Sequence, residues 1–301
     1  MEYEFKLPGG KTFLVKSWGN LAVELAASLA GVKPVIHCWI QEADQSYVDQ
    51  ICAAFGLRSL VYTRQGEPGA QRLGVMLGKD QALLEETGRV WTTTRSNPGP
   101  QLGYPACCSK FYCSWLDDPS AQNGPDVISL IFDHTKTKRK LPFLLNDVYY
   151  HYSRRGHPND GDRRESVAKL NGGLDMNVLN VLPWHPCSYD CKNSLAKGRK
   201  IFATMKKSAP ALAAVIEAHL ARPVVFWDWD RFATLAGKSA PGSVAYTGLA
   251  RPFSALGEKE SALLKAGDRI KHRSGRSLSV WKGAKKLGDL PGAFLLDFSP
   301  L

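Results

Sequence analysis

Cysteines at 38, 52, 107, 108, 113, 187 and 191 are the residues of this 301-residue chain best suited to carry chemistry. Five of them fall into two local groups. In Leu102-Gly103-Tyr104-Pro105-Ala106-Cys107-Cys108, the proline suits the first helical position, where its missing N–H costs nothing. Cys107 and Cys108 would then occupy the first turn. In Trp184-His185-Pro186-Cys187-Ser188-Tyr189-Asp190-Cys191, Pro186 plays the same part, and Cys187 and Cys191, four apart, would share one helix face. A helix N-terminus favours the thiolate, the form that binds a metal or attacks an electrophile. Cys107, Cys108, Cys187 and Cys191 are therefore expected to converge on one centre, with His185 and Asn146 as auxiliary candidates. Cys113 would point about 120–140° away from the Cys107–Cys108 pair on the same helix, and is left outside. Cys38, in an apolar strand, and Cys52, on an apolar helix stripe, read as small buried hydrophobes.

Four thiolates suit either a [4Fe–4S] cluster or a tetrahedral zinc. Adjacent side chains diverge by about 100° on a helix, which favours the iron–sulfur cluster over a closed mononuclear site. A cluster held by three of the four would leave one iron open to substrate. Two other readings compete. The cysteines also lie on apolar stripes, Cys187 and Cys191 running into Leu195, Gly198 and Phe202, so they could simply be core. Or Cys107 or Cys187 is a nucleophile in a metal-free enzyme, with His185 as its base. The odd cysteine number argues against a disulfide framework.

At these residues the chain resembles an uncharacterised conserved family with two signatures. One is Leu-Gly-Tyr-Pro-x-Cys-Cys before an aromatic helix, here Leu102–Cys108. The other is Pro-Cys-Ser-aromatic-(Asp/Asn)-Cys, here Pro186–Cys191 with Ser194 beyond it. Leu77-Gly78-Lys79-Asp80 and Leu144-Leu145-Asn146-Asp147 resemble weaker blocks, so the likeness spans roughly residues 75–205. His185 abuts Pro186, where the family's pattern has an intervening residue. The resemblance implies a shared cysteine site and names no reaction.

The net charge of +11 is unevenly placed. Residues 1–191 balance, whereas residues 192–301 hold 19 Lys and Arg against 8 Asp and Glu. Such asymmetry points to an anionic partner or substrate. Arg269, Lys271, Arg273, Arg276, Lys282, Lys285 and Lys286, interleaved with His272 and Trp281, would form a basic surface for phosphate contact and base stacking. A nucleic-acid-binding protein, or an RNA-modifying enzyme with structural cysteines, is the alternative function this supports. His151 and His157 flank a polar loop over 154–164. Asp228 and Asp230 sit two apart on a strand, and Lys136–Lys140 is a short basic run.

The elements that must position these residues can be read from periodicity. The chain is expected to be α+β: a small α/β domain over residues 1–94, a mainly helical cysteine-bearing segment over 95–209, and a β-rich basic module over 210–301. Early elements include a hairpin around Pro8–Gly10, a helix from 44 to 55 stopped by Gly56, a helix over 80–87 and a strand over 90–93. Gly275 reads as a hairpin turn, Phe294–Phe298 as a strand, and the aromatic-rich tail should pack on the middle segment. No phosphate-binding glycine loop, dinucleotide fingerprint or zinc-protease motif is present. No apolar run reaches the about 18 residues of a membrane span, and the acidic N-terminus lacks signal-peptide character, so a cytoplasmic location is expected.

Overall fold

The computed structural model describes residues 2–7, 9–16, 20–65, 72–93, 98–118, 126–149, 176–228, 230–240, 242–272 and 276–300. The fold is α+β. Two compact units divide the chain by spatial contact, Met1–Asp118 with Ala196–Ala213 and Pro119–Leu195 with Ala214–Leu301. The boundaries at 94 and 209, by contrast, mark changes of composition. Among the described residues no helix is long and apolar enough to cross a membrane.

The first unit opens with a hairpin of β1 (Glu2–Lys6) and β2 (Thr12–Lys16), which pairs Phe5 with Phe13. Both rings meet Phe55 edge-on, with centroids 5.7 and 5.8 Å away. Helix α1 (Leu21–Leu29) leads to β3 (Val35–Gln41), α2 (Gln45–Phe55), β4 (Arg58–Gln65) and β5 (Arg72–Gly78). The three strands form an antiparallel sheet in the order β3-β5-β4. Tyr47, Val48, Ile51 and Phe55 form the buried stripe expected of α2, and Gly56 ends it in the left-handed conformation (φ 63°) that glycine adopts without strain.

Residues 90–93 depart from expectation. Helix α3 (Gln81–Thr92), capped by the Asp80 carboxylate on the N–H groups of Ala82 and Leu83, takes in residues 90–92 and ends at the extended Thr93. Val-Trp-Thr-Thr has strand propensity, but Trp91 stacks on His37 of β3 at 4.1 Å, and this packing decides the matter. The unit also holds α4 (Ala106–Leu116) and the greater part of α6 (Lys192–Ser208).

The second unit contains α5 (Val127–His134), the short β6 (Leu141–Pro142) and the later part of α7 (Pro210–Leu220). Among the described residues, single 3₁₀ turns at Phe143–Leu145 and Met176–Val178 follow, then chain without regular secondary structure from 179 to 191, in place of the helix expected at 187–191. Its main sheet is built from β7 (Val224–Asp228), β8 (Arg231–Ala240), β9 (Ser243–Ala250), β10 (Arg269–His272), β11 (Ser277–Lys282), β12 (Lys285–Pro291) and β13 (Phe294–Leu296). The strand order is β12-β11-β10-β9-β8-β7-β13, antiparallel throughout. One face buries Val244, Tyr246, Ile270, Leu278 and Val280 with Leu264 of α8 (Glu258–Ala266). The single strand expected over 294–298 is two: β14 (Phe298–Ser299) leaves β13 and pairs in parallel with β6. Asp297 lies between them, accepting from the Lys140 N–H and bonding Ser239 Oγ, which anchors the change of direction. The tail thus packs on residues of the middle segment, as expected. Gly275 and residues 154–164, with His151 and His157, lie outside the described residues.

A buried ion pair anchors the first unit. Lys33 Nζ, fully buried, lies 2.6 Å from Glu24 Oε2, itself 2% exposed, and 3.4 Å from the Tyr104 hydroxyl. Removing one partner of such a pair leaves an uncompensated charge in the interior. Glu24→Gln should therefore cost about 3–5 kcal/mol in urea unfolding, and adding Lys33→Met to Glu24→Leu should recover most of that loss. A cost below about 1 kcal/mol for Glu24→Gln would show that the pair adds nothing.

Candidate metal centre

The approach to the first cysteine pair follows from its sequence. Leu102 is buried with Val35, Met76 and Leu84, and Tyr104 packs beside them. Gly103 takes φ +78°, and a side chain there would collide with the Val32 carbonyl, so glycine is required on both counts. The Gly103 carbonyl accepts from Lys197 Nζ at 2.7 Å. Tyr104 receives the Lys33 ammonium 4.9 Å above its ring. Pro105 is the N-cap of α4, one position earlier than expected, because its extended backbone (ψ 134°) lets its carbonyl accept from the Cys108 and Ser109 N–H groups. Cys107 and Cys108 are then the second and third helical residues. Their sulfurs are 3.8 Å apart.

The second pair is held differently from expectation. Cys187 and Cys191 are not on one helix face, for α6 begins only at Lys192. Cys191 caps it, its carbonyl accepting from Leu195 N at 2.9 Å, and Cys187 lies in the turn before. Side chains take the intervening residues away from helix. Ser188 Oγ donates to Asp190 Oδ1 at 2.7 Å, and Asp190 Oδ2 accepts from the Lys136 and Thr137 N–H groups. Burial pushes the Asp190 carboxyl up, but the bonds from Ser188, Lys136 and Thr137 outweigh it and hold it below its ordinary value. Tyr189 is drawn inward, its N–H to Thr135 Oγ1 and its hydroxyl to Asp147.

Asp147 is the residue that sequence reasoning missed. It is 1% exposed, and its two oxygens accept from His185 Nδ1 at 2.8 Å and from the Tyr189 hydroxyl at 3.0 Å. Burial first, then the Asp147 charge, pushes the Tyr189 hydroxyl well above its ordinary value, so it remains a donor. Trp184 Nε1 donates to Ser194 Oγ at 3.0 Å and joins the segment to α6. The sequence signal was a polar pair, Asn146-Asp147, closing an otherwise apolar run. Asn146, the auxiliary candidate, is structural: its Nδ2 donates to the Leu220 carbonyl and its Oδ1 accepts from Val148 N. His185 is engaged by Asp147 beside the second cysteine pair.

With both pairs so held, the Sγ atoms of Cys107, Cys108, Cys187 and Cys191 all lie within 4.8 Å of one another, close enough to hold a metal ion. Cys108 and Cys191 are buried, Cys187 is half-buried and Cys107 is exposed. Three of the four sit at a helix N-terminus, whose partial positive charge favours anionic sulfur. Cys113 is not among the four, and burial pushes its thiol up, as it does for Cys52 and for Cys38, which reaches about 12. Cys38 and Cys52, expected to be buried, are half-buried, as is Cys113.

The other candidates are placed as follows. Asp228 accepts from the Asp230 and Arg231 N–H groups and pairs with the Arg231 guanidinium, a capping arrangement rather than a cation site. In the basic run, Lys138 Nζ lies 4.4 Å from the Phe132 ring centroid. Arg276 bonds Ser129 and Asp133 of α5, Lys282 pairs with Asp268, and Lys286 with Asp289. Arg269 and Lys271 project from β10 and Lys285 begins β12, whereas Arg273 lies outside the described residues. Comparison with family models, curated proteins and solved structures gives no match to this chain.

The hub can be tested apart from any metal. Tyr189→Phe removes one donor and should cost about 1–2 kcal/mol, while Asp147→Ala strands both donors and should cost about 3–5 kcal/mol. Urea unfolding with chelator present reads both. Equal, small losses would show that Asp147 does not organise the segment.

Proposed function

We propose that the protein is a metal-binding protein whose Cys107, Cys108, Cys187 and Cys191 hold a single tetrahedral ion, zinc in the first place. The observation that carries this reading is the mutual distance of the sulfurs. At a Zn–S distance of about 2.3 Å the edge of the tetrahedron is about 3.8 Å. Cys107 and Cys108 already stand at that separation, and the widest gap of 4.8 Å needs to close by about 1 Å. Divergence of adjacent cysteines, the ground for expecting an iron–sulfur cluster, is overcome because both side chains turn toward one point. Thiolates bound to different irons must stand farther apart, with the cluster core between them. Four thiolates fill a tetrahedron, so such a centre is structural, with no position open to substrate. The two motifs that resemble those of an uncharacterised family would then be the ligand-bearing blocks.

Metal analysis of anaerobically prepared protein tests this directly. One zinc per chain in a colourless protein is expected, lost in Cys187→Ser and retained in Cys113→Ser. Because binding free energy is folding free energy for such a site, chelation should lower the melting temperature. A brown protein with iron and acid-labile sulfide would replace the ion by a cluster on the same ligands. A preparation without any metal, with Cys107 open to alkylation, would overturn the centre and favour thiol catalysis.

A further inference from the structure

The register of the second unit's sheet assembles a surface that no stretch of sequence contains. Across β8 to β12, Lys238 pairs with Ala245, Ala245 with Arg269, Arg269 with Trp281, and Trp281 with Lys286. Directly paired residues point to the same side of a sheet, so these five form one cross-strand row. The next row on that side carries Lys271 between Ser243 and Ser279. The opposite side is the buried one, with Val244, Ile270 and Val280 under α8. Lys238, Ala245 and Lys286 are exposed, and Arg269, Lys271 and Trp281 half-buried.

We infer that this outward face binds single-stranded nucleic acid, with Lys238, Arg269, Lys271 and Lys286 on its phosphates and Trp281 under a base. Four strand spacings make the row about 19 Å long, room for roughly four nucleotides, the low end of single-strand site sizes. Four cations and one aromatic ring in one patch match the alternating charge and π-face of an unpaired strand. Exposed Ala245 leaves a gap in the row where a backbone can approach the sheet. Lys271 Nζ lies 3.8 Å from the Trp281 ring centroid. A base stacking on that ring takes the place of the ammonium and releases it to the adjoining phosphate. Lys286 is paired with Asp289 at 2.7 Å, and a pair this exposed is weak enough to exchange for phosphate. Arg276 is turned to Asp133 of α5, and Lys282, next to Trp281 on β11, alternates to the opposite side of the sheet, so neither takes part.

The surface uses none of the cysteines, so it stands or falls apart from the metal centre. The test is fluorescence anisotropy on the full chain, using a labelled 12-nucleotide single-stranded RNA, its duplex and heparin. Lys238→Glu and Lys259→Glu make the same change of charge, the latter at an exposed site on α8, across the sheet. Lys238→Glu should weaken single-strand binding roughly tenfold and Lys259→Glu less than about twofold. The wild-type slope of log K against log salt should be about −3, for four contacts at about 0.7 each. Trp281→Leu should remove the preference for single strand over duplex. The inference is overturned if the two charge reversals weaken binding equally, if heparin or duplex binds as tightly as the single strand, or if low salt yields no binding.

Discussion

Asp147 takes hydrogen bonds from His185 and Tyr189, two residues of a buried segment without regular secondary structure. Such chain cannot satisfy its polar groups through a ladder or a helix, so side chains must do so. The carboxylate supplies two acceptors at one point, and Thr135 supplies a third to the Tyr189 N–H. Through these bonds the positions on either side of Pro186 are set, and with them the directions of the Cys187 and Cys191 side chains. A charge buried this deeply contributes little net stability, yet its loss would leave its donors stranded.

The first cysteine pair is positioned by a different physical device. The path from Leu102 to Pro105 is steric. Leu102 anchors in apolar core, Gly103 passes close to the Val32 carbonyl with positive φ, and Pro105 opens the helix. Lys33 and Glu24 underlie Tyr104 as a buried pair. One pair of thiols is thus aimed by backbone geometry and the other by a polar network.

The basic excess has a split fate of the same kind. Arg276 is consumed by α5, and its guanidinium also lies 5.1 Å from the Phe294 ring. Lys238, distant in sequence from the other basic residues, joins their row only because β8 lies two strands from β10. Charge counted along a chain says how much cation there is, whereas sheet register says which side chains act together.

The sequence by itself determined the α+β class, the periodic elements such as the Tyr47–Phe55 stripe, and the four thiols able to meet. Each of these is written within a dozen residues: helix period, a proline before a thiol, a glycine where φ turns positive. Tertiary structure alone decided the rest. Trp91 keeps residues 90–92 helical by stacking on His37, and Ser188 and Asp190 turn residues 187–191 away from a helix by bonding each other and the chain at 136–137. The carboxylate for His185 comes from a residue 38 positions earlier. In each case a partner remote in sequence takes part, and the energy of its contact outweighs a local preference of only a few tenths of a kcal/mol per residue, roughly.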